Sequence, residues 1–314
     1  MFGAIRRRMK LLAGAARQRL GMEQTYYCGE LPISLPADHL LPVYSRVHRL
    51  YDRFLPLLCE PFSHDDWIID IGANCGDTLA AILTRNGQAS CLCIEGDSGF
   101  FRFLRRNIAA LQALRPAARA IALEALVGTG TLSGTLAGKH GTKALQIDPG
   151  AGAASPTPVR WLSIETILAE LPATAPVRAD LAASGRIRLI KTDVDGFDYD
   201  VLKSAGSLLD DAGMLLYFEC CCETASQRQG FAELFDRLLA SGFCQFAAFD
   251  NFGNHLLNTD QIAILQGLID YVLSQNEHHA TRTIYYFDVL AWKLSSHQLA
   301  TAALDRYRQF INAD

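Results

Sequence analysis

Short apolar runs alternate with longer segments of helical periodicity along most of the chain. Five runs have the composition and length of strands buried on both faces, at residues 67–71, 91–94, 121–127, 188–194 and 214–219. Apolar side chains recur at helical spacing at residues 78–84, 100–113, 161–171, 200–209 and 231–239. Strands that alternate with helices pack as a parallel sheet covered on both faces. The pattern therefore predicts an α/β fold with a doubly wound, mostly parallel sheet.

The rest of the chain also has patterns of apolar and polar residues that predict structure. Apolar side chains repeat at helical spacing from residue 43 to residue 54, which predicts a helix that ends at Pro56. Residues 128–158, rich in Gly, Thr, Ser, Ala and Pro, are predicted to be loop. Two later strands, at 243–249 and 283–292, enclose a polar and helical segment, and 295–311 has helical periodicity. We expect about seven strands in a domain over 61–293, between a basic, helical extension at 1–60 and a C-terminal helix at 294–314.

The junction between the first strand and its helix carries a polar glycine turn. It reads D-x-G-x-N-x-G, with Asp70, Gly72, Asn74 and Gly76. Glycines allow a tight turn and a close approach of ligand to backbone, and the helix that follows offers free N–H groups and a positive dipole end. Nineteen residues after Gly76, the second strand ends in Glu95, where an acid is placed to accept hydrogen bonds from a ribose.

The turn does not match the dinucleotide fingerprint G-x-G-x-x-G. Asp70 and Asn74 are polar where the pyrophosphate of NAD needs bare backbone and no negative charge. A carboxylate there suits a cationic ligand end, such as the amino group of S-adenosylmethionine (SAM). The alternative without a ligand is a glycine turn that only packs a helix on a sheet.

Charge is distributed unevenly along the chain. The net charge is −4, but residues 1–20 carry six basic and no acidic side chains, so the other 294 residues carry 23 basic and 33 acidic ones. The other 294 residues are therefore acidic overall, which argues against a broad nucleic-acid surface. The basic segment is interpreted either as a helix on an anionic membrane surface or as a solvated helix. No apolar run reaches the roughly 18 residues of a membrane-spanning helix.

The nine cysteines favour free thiols. Their number is odd and no C-x-x-C pair occurs, which favours a reducing cytoplasm over a disulfide framework. The triplet Cys220, Cys221 and Cys222 is unusual, but adjacent strand residues point to opposite faces and cannot all reach one ion. We therefore expect a cytoplasmic protein, with membrane contact, if any, at the surface through residues 1–20.

Over about residues 65–292 the chain resembles the FkbM family of SAM-dependent methyltransferases. The most specific stretch is 190–205, I-K-T-D-V-D-G-F-D-Y-D-V-L-K-S-A, which in that family usually reads I-K-I-D-V-E-G-F-E-x-x-V-L-K-G-A. Thr192, Asp195 and Asp198 replace the commoner Ile, Glu and Glu, which keeps the charge and shortens the reach. Further matching stretches lie at 69–77, 93–97, 104–108, 124–128 and 162–168.

The resemblance implies a Rossmann-like class I methyltransferase fold, SAM as cofactor, and O-methylation of a hydroxyl on a sugar, glycan or natural product. It implies that the methionine end of SAM is lined by Asp70, Gly72, Asn74 and Gly76, and that Glu95 holds the ribose hydroxyls. The backbone near Leu126 would approach the adenine. The other classes considered are a non-catalytic SAM-binding scaffold and, less favoured because of the polar turn, an NAD-dependent oxidoreductase of the Rossmann type.

A base that removes the hydroxyl proton is expected at the end of the fourth strand. Asp193 is the first candidate, and Lys191 and Asp195 alternate onto the same face of that strand. His255, in a predicted loop, is the second candidate base. Asp193 and Asp195 together could hold Mg²⁺, but no further ligand occurs at diagnostic spacing, so no metal is predicted.

Overall fold

The computed structural model describes residues 22–129, 134–139, 142–147, 161–183, 185–278 and 282–313. The basic segment at 1–20 and parts of the loop predicted at 128–158 lie outside these residues. The described strands are β1 (Glu23–Cys28), β2 (Leu31–Pro36), β3 (Asp66–Ile71), β4 (Ser90–Glu95), β5 (Arg119–Glu124), β6 (Leu126–Val127), β7 (Gly134–Lys139), β8 (Thr142–Ile147), β9 (Trp161–Leu162), β10 (Arg186–Thr192), β11 (Leu215–Cys221), β12 (Gln245–Asp250), β13 (His255–Thr259) and β14 (Tyr286–Trp292).

The described α-helices lie mostly between these strands. They are α1 (Leu41–Val47), α2 (Phe54–Cys59), α3 (Asp77–Leu83), α4 (Ser98–Leu114), α5 (Ile164–Glu170), α6 (Pro176–Ala183), α7 (Asp198–Lys203), α8 (Ala225–Ala240), α9 (Ile262–His278) and α10 (His297–Asn312). Two 3₁₀ turns, Gly206–Asp210 and Leu294–Ser296, connect α7 to β11 and β14 to α10.

The central sheet has eight strands in the order β13-β12-β14-β11-β10-β3-β4-β5. The five strands from β11 to β5 are mutually parallel, whereas β14 pairs antiparallel with both β11 and β12, and β13 forms an antiparallel edge beside β12. The predicted fold class, a doubly wound and mostly parallel sheet, is confirmed. The eighth strand, β13, lies in the segment that was predicted to be polar and helical.

Helices cover both faces of the sheet, as the alternating pattern predicts. Every residue of β3 and β4 is buried, which is why these strands read as continuous apolar runs. One core joins alternate strand positions such as Trp67 and Ile69 to helices α5 to α9. The other joins Ile68 to helices α2, α3, α4 and α10 and to the β1–β2 hairpin. The hairpin and α10 therefore share a core with the sheet.

The order of the strands creates a crevice beside β3. The chain passes outward from β3 to β4 and β5 and then returns to β10 on the other side of β3. Connections leave the carboxyl ends of β3 and β10 in opposite directions, and in open α/β sheets ligands bind in the crevice at such a point. The fold therefore places the predicted glycine turn and the predicted base beside one another.

Several local predictions need correction. The predicted helix that ends at Pro56 is two helices, α1 and α2, and Pro56 lies in the first turn of α2, where its missing N–H removes no helical hydrogen bond. Asp52 separates the two helices with a φ of +56°. The predicted loop contains the β7–β8 hairpin. Strands β1 and β2 and helix α6 were not predicted.

Candidate functional site

A cavity of about 1010 Å³ opens at the carboxyl ends of the central strands. It is lined by the turn after β3, the ends of β4 and β10, the facing sides of β11 and β14, and the segment from residue 39 to residue 56. Among the described residues, three non-glycine residues have a positive φ, and all three line this cavity: Asp52 (+56°), Asn74 (+48°) and Asp195 (+54°). Such conformations are unfavourable and cluster at functional sites. The cavity is therefore the candidate active site.

The glycine turn is held tightly against β10. Gly72 has a φ of +76°, and a Cβ there would lie 2.0 Å from the carbonyl oxygen of Asp193, so only glycine fits. The amides of Gly72 and Ala73 both donate to the carbonyl of Ile94, at 3.0 Å each. Gly76, with a φ of +88°, is the N-cap of α3. The turn thus fixes the relative positions of β3, β4 and β10.

Glu95 at the end of β4 closes the turn from the other side. Its Oε2 accepts from the amide of Asn74 at 2.8 Å, and its Oε1 accepts from the amide of Asp97 at 2.7 Å. Burial raises the pKa of Glu95 to about 7, although the two amides act to lower it. Each oxygen of a carboxylate has a second lone pair. Glu95 lines the cavity and can therefore accept hydrogen bonds from a pair of hydroxyls.

Two buried side chains support the turn from outside. The amide of Leu41 donates to Nδ1 of His39 at 3.2 Å, which assigns the proton to Nε2, and Nε2 lies 3.2 Å from Oδ1 of Asn74. The Asn107 side-chain amide donates to the carbonyls of Ser34 and Cys75, at 2.8 Å each. The hairpin and α4 are therefore tied to the turn.

Asp70 is paired with Lys191 beneath the cavity. The two residues are Cα partners on β3 and β10, and Nζ of Lys191 lies 3.1 Å from Oδ1 of Asp70 and 3.5 Å from Oδ2 of Asp193. Burial raises the pKa of Asp70, and the lysine acts to lower it. Burial would lower the pKa of Lys191, but the carboxylates of Asp70 and Asp193 outweigh it and hold that pKa well above its usual value. Lys191 is therefore a buried ammonium under a half-exposed Asp193.

The remaining walls of the cavity are acidic. Asp77, the first residue of α3, faces the cavity beside the turn, and burial raises its pKa against the opposing effects of His39 and Lys191. Asp52 and Asp195 both face the cavity, and burial raises the pKa of Asp195 to about 7. On the far side, burial raises the pKa values of the Glu219 and Asp288 carboxyls well above their usual range.

Most of the predicted site residues line the cavity. Seven line the cavity: Gly72, Asn74, Glu95, Leu126, Lys191, Asp193 and Asp195. Leu126 packs closely against Gly96, and a Cβ added to Gly96 would lie 2.3 Å from Cδ2 of Leu126. Asp70 and Gly76 are not among the residues that line the cavity, and the Asp70 carboxylate faces Lys191.

His255 is not part of this site. It begins strand β13 instead of lying in a loop, its ring contacts Phe249, and its Nε2 lies 2.8 Å from Oδ1 of Asn258. Its side chain is not among the described residues that line the cavity.

Five acidic residues that line the cavity were missed: Asp52, Asp77, Glu219, Glu223 and Asp288. Asp77 follows Gly76 directly, and Glu219 lies near the end of the fifth strand, so the strand-end argument that selected Asp193 applies to both. Asp288 is an acid within an apolar run, which is a signal of a buried polar role. Nothing in the sequence around Asp52 marks it, because its position depends on the packing of α1 and α2.

Two further features were not found among the described residues. In the described part of the chain, no three His, Cys, Asp or Glu side chains converge in a geometry that could hold a metal ion. No helix among the described residues is both long and apolar enough to cross a bilayer.

Comparisons with known proteins find only distant similarity to solved structures of methyltransferases. No family model and no curated protein matches the sequence. Among solved structures, the chain is similar to the methyltransferase FkbM from Methylobacillus flagellatus KT, with 13% identity over 79% of this chain and 50% of that chain and a TM-score of 0.40. It is also similar to precorrin-6y C5,15-methyltransferase from Geobacter metallireducens GS-15, with 11% identity over 77% of this chain and 87% of that chain and a TM-score of 0.36. A third similar structure is a TehB-like SAM-dependent methyltransferase from Corynebacterium glutamicum, with 10% identity over 80% of this chain and 97% of that chain and a TM-score of 0.37. Similarities this distant assign neither a family nor a reaction.

Proposed function

We propose that this protein is a SAM-dependent methyltransferase that methylates a hydroxyl group of a small molecule, such as a sugar, glycan unit or natural product. The observation that carries the proposal is the acidic cavity at the carboxyl ends of β3 and β10, where the following connections leave in opposite directions. The turn at Gly72, the carboxylate of Glu95 and the Lys191–Asp193 pair meet in this cavity. Its volume is at the upper end of the range of small-molecule sites, which leaves room for a cofactor and an acceptor together.

The carboxylates on the β3–β4 side of the cavity fit SAM. The free lone pairs of Glu95 suit the two ribose hydroxyls, and Asp77 provides a carboxylate beside the turn for the ammonium of the methionine end. Leu126 and the backbone around Gly96 provide an apolar surface for the adenine. The pyrophosphate of NAD would face the same two carboxylates, so the cavity disfavours an oxidoreductase.

The acceptor side lies across the cavity, at the ends of β10, β11 and β14. SAM supplies an electrophilic methyl group when bound. Asp193 is the proposed base: its exposed carboxylate receives the hydroxyl proton as the acceptor oxygen becomes nucleophilic, and Lys191 at 3.5 Å orients it. Holding the hydroxyl at near-attack distance supplies much of the acceleration in such a transfer.

The proposal is tested by isothermal titration calorimetry with SAM, its demethylated product S-adenosylhomocysteine (SAH), and NAD⁺. We expect SAM and SAH to bind and NAD⁺ not to bind. Asp77→Asn should weaken SAM binding by about tenfold or more, as expected for the loss of a charge-assisted contact. Asp305→Asn, at an exposed position of α10, is the matched control and should bind like the parent. Binding of NAD⁺ in place of SAM would contradict the proposal.

Catalysis is tested separately from binding. Asp193→Asn keeps the shape of the side chain and removes the base, so SAM affinity should stay within a few-fold of the parent while turnover on an accepted hydroxyl compound falls by about 10²–10⁴. SAM binding without release of SAH over a panel of hydroxyl compounds would favour a non-catalytic scaffold.

A further inference from the structure

Two carboxylates lie side by side on the acceptor side of the cavity. Glu219 on β11 and Asp288 on β14 are Cα partners in the antiparallel ladder, so their side chains emerge from the same face of the sheet. Both line the cavity, as do Tyr217 and Tyr286 on the same face. Like charges directly opposite each other in a ladder are destabilising. This acidic pair, Glu219 and Asp288, therefore favours its protonated form unless a cation lies against it.

The protein itself leaves Glu219 unbalanced. The residue is 7% exposed, and its Oε1 is buried without a hydrogen-bond partner among the described residues. The largest charge effects on its pKa come from acidic side chains, Asp193, Asp195, Asp198 and Asp288. Asp288, in contrast, receives a hydrogen bond from the hydroxyl of Tyr217. A buried carboxylate oxygen without a donor is a strong acceptor for a donor from a ligand.

Three of the four side-chain cations that line the cavity are paired with other carboxylates. Eight carboxylates and four side-chain cations line it in the described part of the chain. Lys191 is held by Asp70 and Asp193, Nη1 of Arg85 lies 3.8 Å from Oε2 of Glu60, and Nη1 of Arg282 lies 3.5 Å from Oε1 of Glu223. No cluster of the described acids has metal-binding geometry. Tyrosine rings beside the acidic pair offer faces that attract organic cations.

We propose that the acidic pair binds a protonated aliphatic amine, so that the acceptor carries an ammonium group as well as the hydroxyl that is methylated. The inference rests on the proposed function, because it takes this side of the cavity as the acceptor site. The ammonium donates to Oε1 of Glu219 and lies against Asp288, and the neighbouring Asp193 faces the hydroxyl. An amino sugar or an amino alcohol has this combination of groups.

The probe pair glucamine (1-amino-1-deoxyglucitol) and glucitol isolates the ammonium, because the two compounds differ only in an ammonium in place of one hydroxyl. An aliphatic amine is protonated at neutral pH. Binding of each is measured by calorimetry with the full chain saturated with SAH. We expect glucamine to bind at least about tenfold more tightly than glucitol, as a charge-assisted contact predicts. Glu219→Gln should reduce this preference to within about twofold, while Glu223→Gln, a carboxylate already paired with Arg282, should retain it.

The outcomes separate this inference from the proposed function. If SAH binds but glucamine shows no advantage over glucitol, including the case in which neither binds, the amine subsite is wrong and the cofactor site stands. If SAH does not bind, the proposed function fails first. Mg²⁺ binding to the parent that is lost in Glu219→Gln, without any preference for glucamine, would assign the acidic pair to a metal and overturn the inference.

Discussion

At the scale of single residues, the buried ion pair of Asp70 and Lys191 defines the floor of the cavity. The Lys191 ammonium, 3.1 Å from Oδ1 of Asp70, is both the hydrogen-bond donor to this buried carboxylate and the cation that offsets its charge. An isolated buried charge is strongly unfavourable, so each partner of such a pair depends on the other. The pair accounts for a carboxylate in the turn without assigning it to a ligand.

Replacing Lys191 should expose this dependence. Lys191→Met is expected to lower the free energy of unfolding by about 3–5 kcal/mol, measured by urea denaturation at neutral pH, because it leaves Asp70 buried without a cation. Combining it with Asp70→Asn should recover much of the loss. Additive effects of the two substitutions would mean that the side chains are not coupled.

Asp198 gives a prediction about pH. Burial raises its pKa from 3.8 to about 7, so between about pH 4 and pH 7 the folded state keeps a proton that the unfolded chain has released. The folded state binds more protons in this window, and stability therefore falls as pH rises through it. Asp198→Asn cannot lose a proton, so its stability relative to the parent should increase from pH 4 to pH 7, by about 3 kcal/mol.

The measurement is the free energy of unfolding of both proteins at several pH values. Asp305→Asn, at an exposed position of α10, is the control, and its difference from the parent should change little over the same range. A flat difference for Asp198→Asn as well would contradict the raised pKa.

At the scale of elements, the β3–turn–α3 unit is expected to tolerate change least. Gly72→Ala places a Cβ 2.0 Å from a backbone oxygen at a φ of +76°, so we expect a loss of stability of at least about 2 kcal/mol. Gly267 in the exposed face of α9 has nothing within 4 Å of such a Cβ, and Gly267→Ala should stabilise the protein by about 0.5–1 kcal/mol. Denaturant unfolding of both variants checks the contrast, and a neutral Gly72→Ala would contradict the close approach.

The same unit shows what can be predicted from sequence. Strand β3, its turn, α3 and β4 were predicted because an apolar run, two glycines and a terminal acid are local signals. The hairpin β1–β2 was missed because its apolar positions become buried only against α3 and α4. The strand-end argument located Lys191 and Asp193, but it could not separate Asp70 from Asp77. Which carboxylate faces the cavity depends on the pairing of β3 with β10, and that is a tertiary contact.

At the scale of the whole molecule, the charge asymmetry of the sequence leads to a prediction for residues 1–20, which lie outside the described residues. We propose that their six basic side chains give weak, salt-sensitive binding to anionic membranes, with about 1 kcal/mol for each basic residue near the surface. Sedimentation with vesicles rich in phosphatidylserine should be stronger for the full chain than for a chain that starts at Gly21. Equal sedimentation of the two would contradict the proposal.

The position of β14 has a consequence for how the chain is made. This strand is the hydrogen-bonding partner of both β11 and β12, yet it is synthesised after β12, β13 and α9. Until it emerges from the ribosome, β11 and β12 each present an open edge, and open edges invite pairing with other chains. The acidic pair is also incomplete until then, because Asp288 is part of β14. A nascent chain stalled before residue 286 is therefore expected to need chaperone protection, and to become competent for its ligand only when the last strand inserts.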